Sequence, residues 1–273
     1  MEECFREEQT GELMISRSAL SEITDQLWEN YRAFCERDLS GIEVEHLFLD
    51  AVYESLRRYG AKEGVLAAWC IITTEGGKVL LHLAVGNKES EACWVEFFRD
   101  MVARGLRIPT SVTSEGAPGL VNAIEGVFSK SLRIRCWYHK LGNVRSKLPS
   151  EGADEVLAHA RVVRDAPTYE AGEAQAASLI ERFSGAYPSA VKSFADDLEA
   201  SLAHLKVPVR HRINLRTTNL LERSFVEERR RTKVIRRLMA EKSAMKLVFA
   251  TLMRVSESPE KVPGLRALSS VSI

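Results

Sequence analysis

The sequence predicts a mixed α/β fold: a three-strand meander, then alternating helices and strands, then a long helical stretch. Three observations carry this. Apolar runs of strand length fill much of residues 46–85. From 90 to 148, helical spacing and strand-length runs alternate. From 151 onward the chain is rich in Ala and Glu, has helical spacing and shows no convincing strand.

Each element follows in order. Leu20, Ile23, Leu27 and Tyr31 recur every three or four residues and predict an acidic helix within the first 40 residues. Asp38-Leu-Ser-Gly ends it. His46-Leu-Phe-Leu-Asp-Ala-Val-Tyr is long enough for a buried strand. Residues 64–74 form a second strand, and Glu75-Gly-Gly-Lys is a hairpin turn into a third at 79–85, antiparallel to the second. Residues 90–106 place Trp94, Phe97, Phe98, Met101 and Val102 on one side of an amphipathic helix. A short strand at 109–114, a helix at 120–128, a strand at 131–138 and a helix at 139–148 follow. Residues 151–205 are an all-helical insertion. A helix over 216–238 comes next, with Thr217, Thr218 or Asn219 as its cap and Glu222 at capping-box spacing from Asn219. A last helix covers 241–256, and 259–273 are a weakly patterned tail.

Net charge is zero over 273 residues, but its distribution is uneven. Met1 to Asp50 hold thirteen acids and four bases, whereas Lys206 to Arg237 hold eleven bases and three acids. A polyanionic partner near the basic end fits this asymmetry, as does packing of one end against the other. Five scattered cysteines without a Cys-x-x-Cys pair imply reduced thiols and a cytoplasmic setting. The acidic start is unlike a signal peptide, and no apolar run reaches membrane length.

Three acids stand where chemistry is possible. Asp50 interrupts an apolar strand, so it is either an edge residue in water or a buried carboxylate that needs a partner. Glu115 closes the fourth strand just before Gly116-Ala-Pro-Gly119. It either complements the next helix or lies at the carboxyl end of a strand, where ligands bind. Glu222 sits among cations, paired with Arg223 or Arg216 or holding a metal. Together the three could bind hard divalent cations through oxygen and serve an in-line phosphoryl transfer. Cys136 and His139, in Cys-Trp-Tyr-His, could be half of a zinc site, but no second half is visible, so a structural role is expected, with His139 hydrogen-bonded near the acidic edge. His46, His82, His204 and His211 are isolated in the sequence and receive no role. Trp69, Trp94, Trp137 and Phe225 are read as core. The arginines at 229–231 and 236–237 are either a solvated face or a track for a phosphate backbone.

Several long stretches, in order, resemble the Mutator-like transposases of bacterial insertion sequences. They are Leu47-Phe-Leu-Asp-Ala-Val-Tyr, Ser114-Glu-Gly-Ala-Pro-Gly-Leu, Arg135-Cys-Trp-Tyr-His-Lys-Leu-Gly-Asn-Val, and the run from Arg216 through Asn219, Glu222 and Arg229 to Ile235. The resemblance covers about 15–256. It implies a ribonuclease-H-like mixed sheet with a helical insertion before the last catalytic helix. The implied divisions are an N-terminal helical remnant of a DNA-binding region (1–40), the first part of the core (41–150), the insertion (151–210), the last core helices (211–258) and the tail. It also implies an acidic triad of Asp50, Glu115 and Glu222 binding Mg²⁺ or Mn²⁺, with Cys136 and His139 as a signature beside it. DNA would be cut and joined at element ends by a homo-oligomer, with Arg216, Arg223, Arg229, Arg230, Arg231 and Lys233 on the DNA. The chain departs from the family pattern twice: Glu115 replaces an aspartate, and the region before the first acid is shorter. The alternative is a truncated or decayed transposase that binds DNA or an active copy without catalysis.

Overall fold

The structure is a computed structural model that describes residues 16–54, 63–72, 78–86, 90–218, 225–226, 230 and 241–257. A helix, α1 (Arg17–Glu36), leads into three strands, β1 (Val44–Glu54), β2 (Glu63–Ile72) and β3 (Lys78–Gly86). Then come α2 (Glu91–Ala103), β4 (Ser111–Ser114), α3 (Pro118–Val127), β5 (Leu132–Arg135) and α4 (Trp137–Arg145). The strands form one sheet in the order β3-β2-β1-β4-β5. β1, β2 and β3 are antiparallel neighbours, while β4 and β5 run parallel to β1. The predicted meander and its switch to alternating elements are therefore present. The predicted turn lies outside the described residues except for its last residue, Lys78, which begins β3.

Alternation along the strands gives the sheet two apolar faces. Leu47, Leu49, Leu66 and Leu81 meet α2 and α3 through Trp94, Phe98, Leu120 and Ile124. Phe48, Val52, Trp69 and Leu83 face the other way. There they pack with Phe34 of α1, with Phe225, and with Met245, Val248 and Leu252 of the last helix, labelled α10 (Glu241–Glu257). Helices thus cover both faces, as parallel pairing requires. Of the apolar positions predicted for α1, Leu27 and Tyr31 pack on this core, whereas Ile23 is exposed. The four residues read as core, Trp69, Trp94, Trp137 and Phe225, are all buried.

Between α4 and α10 lies the predicted helical insertion, made of α5 (Ala153–Arg164), α6 (Tyr169–Phe183), α7 (Pro188–Ala195), α8 (Leu198–Leu202) and a 3₁₀ turn (Ala203–Lys206). It has its own apolar cluster, into which Trp137 and Val144 of α4 project. A further helix, α9 (Val209–Leu215), returns the chain to the sheet.

Two predicted boundaries are wrong. The strand at 131–138 stops at Arg135, because Trp137 N–H leaves the sheet to donate to the Arg216 carbonyl (2.8 Å) and opens α4. The helix at 216–238 does not start at Arg216. That residue ends α9, and 217–218 are not helical. Their backbone groups are engaged elsewhere: Arg216 O with Trp137, and Thr218 N–H with the Cys136 sulfur at 3.2 Å. Beyond this point Phe225, Val226 and Arg230 are helical, and the remainder of 219–240 lies outside the described residues.

Candidate metal centre

Asp50 and Glu115 are brought together by the parallel pairing of β1 and β4. Leu49 pairs with Ser114, so one further step along each strand sets the two acids abreast. Asp50 is buried and Glu115 half-buried. Asp50 Oδ1 also accepts the Ala51 N–H at 2.9 Å. His139 comes from α4, the helix that follows the neighbouring parallel strand. One ligand atom from each of Asp50, Glu115 and His139 lies within 4.8 Å of the others.

The electrostatics of this group are those of two anions and a cation. Burial opposes charge on His139, but the Cys136 side chain and the Asp50 and Glu115 carboxylates outweigh it and push the imidazole up to about 9. His139 Nδ1 is buried without a hydrogen-bond partner among the described residues. Two carboxylates suit a hard divalent cation, whose charge would take the place of the proton they favour on His139, so the residues present fit such an ion.

The Cys136 side chain is hydrogen-bonded to His139. Cys136 belongs to no group of converging ligand atoms among the described residues. Its sulfur instead accepts the Thr218 N–H and lies 3.3 Å from Thr218 Oγ1. The Cys-Trp-Tyr-His-Lys stretch is a junction. Cys136 holds the 216–218 segment and His139 joins the acids. Trp137 donates from Nε1 to Ser201 O at 2.7 Å, and Lys140 donates from Nζ to Asp196 O, both in the insertion. Burial, aided by nearby Arg135, pulls Lys140 down to about 8 against the pull of Asp196 and Asp197.

Arg135 has no counterpart in the sequence reading. Its guanidinium is buried against Gly116, in the space that an added Cβ would fill. A side chain at this position of the Glu-Gly-Ala-Pro turn would have to displace that guanidinium. Nothing local in the sequence signals this, since the two residues meet only through β4–β5 pairing.

The other expected site residues divide. Arg216 is tied to Asp165 at the end of α5 and is mostly buried, a use that requires no phosphate. Arg230 is helical and exposed. Glu222, Arg223, Arg229, Arg231 and Lys233 lie outside the described residues. No described helix is long and apolar enough to cross a membrane.

A family model described as "Transposase, Mutator family" matches residues 3–260. The transposase for insertion sequence element IS6120 of Mycolicibacterium smegmatis is 32% identical over 220 residues, covering 81% of this chain and 68% of that protein. The transposase for ISRM5 of Rhizobium meliloti is 32% identical over 245 residues, covering 89% of this chain and 61% of that one. The transposase for IS406 of Burkholderia multivorans is 30% identical over 248 residues, covering 90% and 63%. The chain thus spans 61 to 68% of the length of these relatives. Among solved structures, the Drosophila P element transposase strand transfer complex covers 90% of this chain and 74% of its own at 11% identity. Its TM-score of 0.32 is too low to bear on the fold.

Proposed function

The chain belongs to the Mutator family of transposases, and from that premise we propose that it carries the catalytic core for metal-dependent cutting and joining of DNA at the ends of a bacterial insertion sequence. The observation that carries this is the meeting of Asp50, Glu115 and His139 where β4 ends beside its parallel neighbour β1. The order β3-β2-β1-β4-β5, with a helical insertion after α4, supports a ribonuclease-H-like reading of the sheet.

Asp50 and Glu115 would hold Mg²⁺ or Mn²⁺, with Glu222 as the third acid. Such an ion supplies activation of a water or 3′-hydroxyl and stabilisation of the leaving oxygen in an in-line displacement. His139 sets positive charge beside the two carboxylates or gives a ligand to the ion. Cys136 and Trp137 pin the Arg216–Thr218 segment against α4, which brings the chain four residues before Glu222 to this edge. Arg223, Arg229, Arg230, Arg231 and Lys233 would neutralise phosphates along the bound DNA, in a homo-oligomer assembled on it. Glutamate in place of the family's aspartate is accommodated, since the Glu115 and Asp50 ligand atoms already meet. That favours an active site over a decayed one.

The test is nicking of an element-end duplex with and without Mg²⁺, by the native chain and by Glu222→Ala. The proposal expects nicking by the native chain only, abolished by chelation. Equal nicking by Glu222→Ala would remove Glu222 from the site. No nicking by the native chain, restored by Glu115→Asp, would establish decay.

A further inference from the structure

A second cluster lies near the start of β1, on the face that carries Asp50. His46 and Asp50 are four residues apart on one strand and so share a face, about 13 Å from each other. The register of β1 against β2 slips between Val44 and His46, leaving Glu45 as an extra residue. A bulge of this kind re-aims a side chain, so Glu45 and His46 turn to the same side although they are adjacent. His211 of α9 closes the group.

The geometry is that of a three-donor cup. His46 Nε2 lies 3.1 Å from His211 Nδ1. Glu45 Oε1 lies 3.5 Å from His46 Nε2 and 3.8 Å from His211 Nδ1. Donors sharing one tetrahedral cation at 2.0–2.2 Å stand roughly 3.3–3.5 Å apart, and the three edges bracket that spacing. His46 is buried, and its Nδ1 is 2.9 Å from Ser111 Oγ. Donation from Nδ1 to that hydroxyl fixes the tautomer that presents the Nε2 lone pair, the usual second partner of a ligating histidine.

We propose that Glu45, His46 and His211 bind one zinc-class divalent cation, separate from the acidic site, which staples α9 to the start of β1. Two imidazoles and one carboxylate suit Zn²⁺, with the fourth position open to water. Without the ion, one proton lies between His211 Nδ1 and His46 Nε2. On binding, that proton moves to His211 Nε2. Arg210 Nε donates to this same Nε2 at 2.9 Å and so opposes the exchange. Arg210 is exposed and can turn away. The staple would hold the near end of a segment that continues along the same face. Leu215 O accepts from Thr113 Oγ1, and Thr218 N–H donates to Cys136.

Titration of the full chain with Co²⁺ and Zn²⁺ tests this, read by the visible absorption of tetrahedral Co²⁺ and by its displacement with Zn²⁺. The expected result is one tight equivalent that persists in Asp50→Asn. Binding should weaken at least tenfold in His211→Ala and in Glu45→Gln, whose partly exposed side chains keep the fold intact, and tighten severalfold in Arg210→Ala. Absence of a tetrahedral Co²⁺ signal would overturn the proposal. So would a signal unchanged by His211→Ala and Glu45→Gln, or one lost in Asp50→Asn.

Discussion

Asp50 and Glu115 are neighbours across two parallel strands, one step beyond the Leu49–Ser114 pair. They are 65 residues apart in the chain, yet a single register sets their spacing. Glu115 directly follows the carboxyl end of β4, Asp50 lies along β1 beside it, and the helix after the next strand adds His139 to the same point. Ligands in open α/β sheets gather at such ends. The site is therefore a product of topology more than of any local motif.

Gly116→Ala should destabilise the protein by about 1–3 kcal/mol, the usual scale of overpacking. The new methyl takes the place of the buried Arg135 guanidinium, which has to move to admit it. Urea unfolding measures the loss. A stability equal to that of the native chain would mean that Arg135 does not occupy this space.

Cys136→Ala should free the Arg216–Thr218 segment, because the Thr218 N–H loses its sulfur acceptor. The expected cost is about 1 kcal/mol, the usual net scale of one lost hydrogen bond. Hydrogen exchange at the Thr218 amide should rise well above that of the native chain. Cys136→Ser, which keeps an acceptor, should restore most of the protection.

His82 should make the protein sensitive to acid. It stacks on Phe97, with ring centroids 4.5 Å apart, and its Nε2 is 3.2 Å from Asp100 Oδ2. Burial, with Arg104 and Arg37 nearby, pulls the imidazole down to about 3. Asp100 is itself held by Arg104, at 2.9 and 2.7 Å. The unfolded chain takes up a proton as pH falls through about 6.5, and the folded protein does not until about 3. Stability from neutral His82 is thus complete above pH 6.5 and is lost as pH falls toward 3, by up to a few kcal/mol. Urea midpoints at pH 7 and pH 4 should differ less in His82→Gln than in the native chain.

The sheet was legible in the sequence because its strands are apolar runs of the right length, separated by turn residues and a helix of clear period. The insertion was legible because its helices carry their own apolar faces. The errors lie where backbone groups find partners far along the chain. Cys-Trp-Tyr looks like the end of a strand, but Trp137 donates to Arg216 and begins a helix. Arg216-Thr-Thr looks like the start of one, but its polar groups are taken by α4. His46 and His211 were given no role because 165 residues separate them. A bulge and the return of α9 make them neighbours, and neither is written in local spacing. Asp50 could be named as a candidate from its place within an apolar strand, and Glu115 from the end of another. Their pairing needed the register.

The central claim is that Asp50 and Glu115 together hold the ion that cuts DNA. Mg²⁺-dependent nicking of an element-end duplex by the native chain, Asp50→Asn and Glu115→Gln tests it most directly. The expected result is nicking by the native chain, reduced on the order of 10²–10³-fold in each variant, the scale for losing one stabilising contact at a reacting centre. Undiminished nicking by Glu115→Gln, with Asp50→Asn inactive, would contradict it.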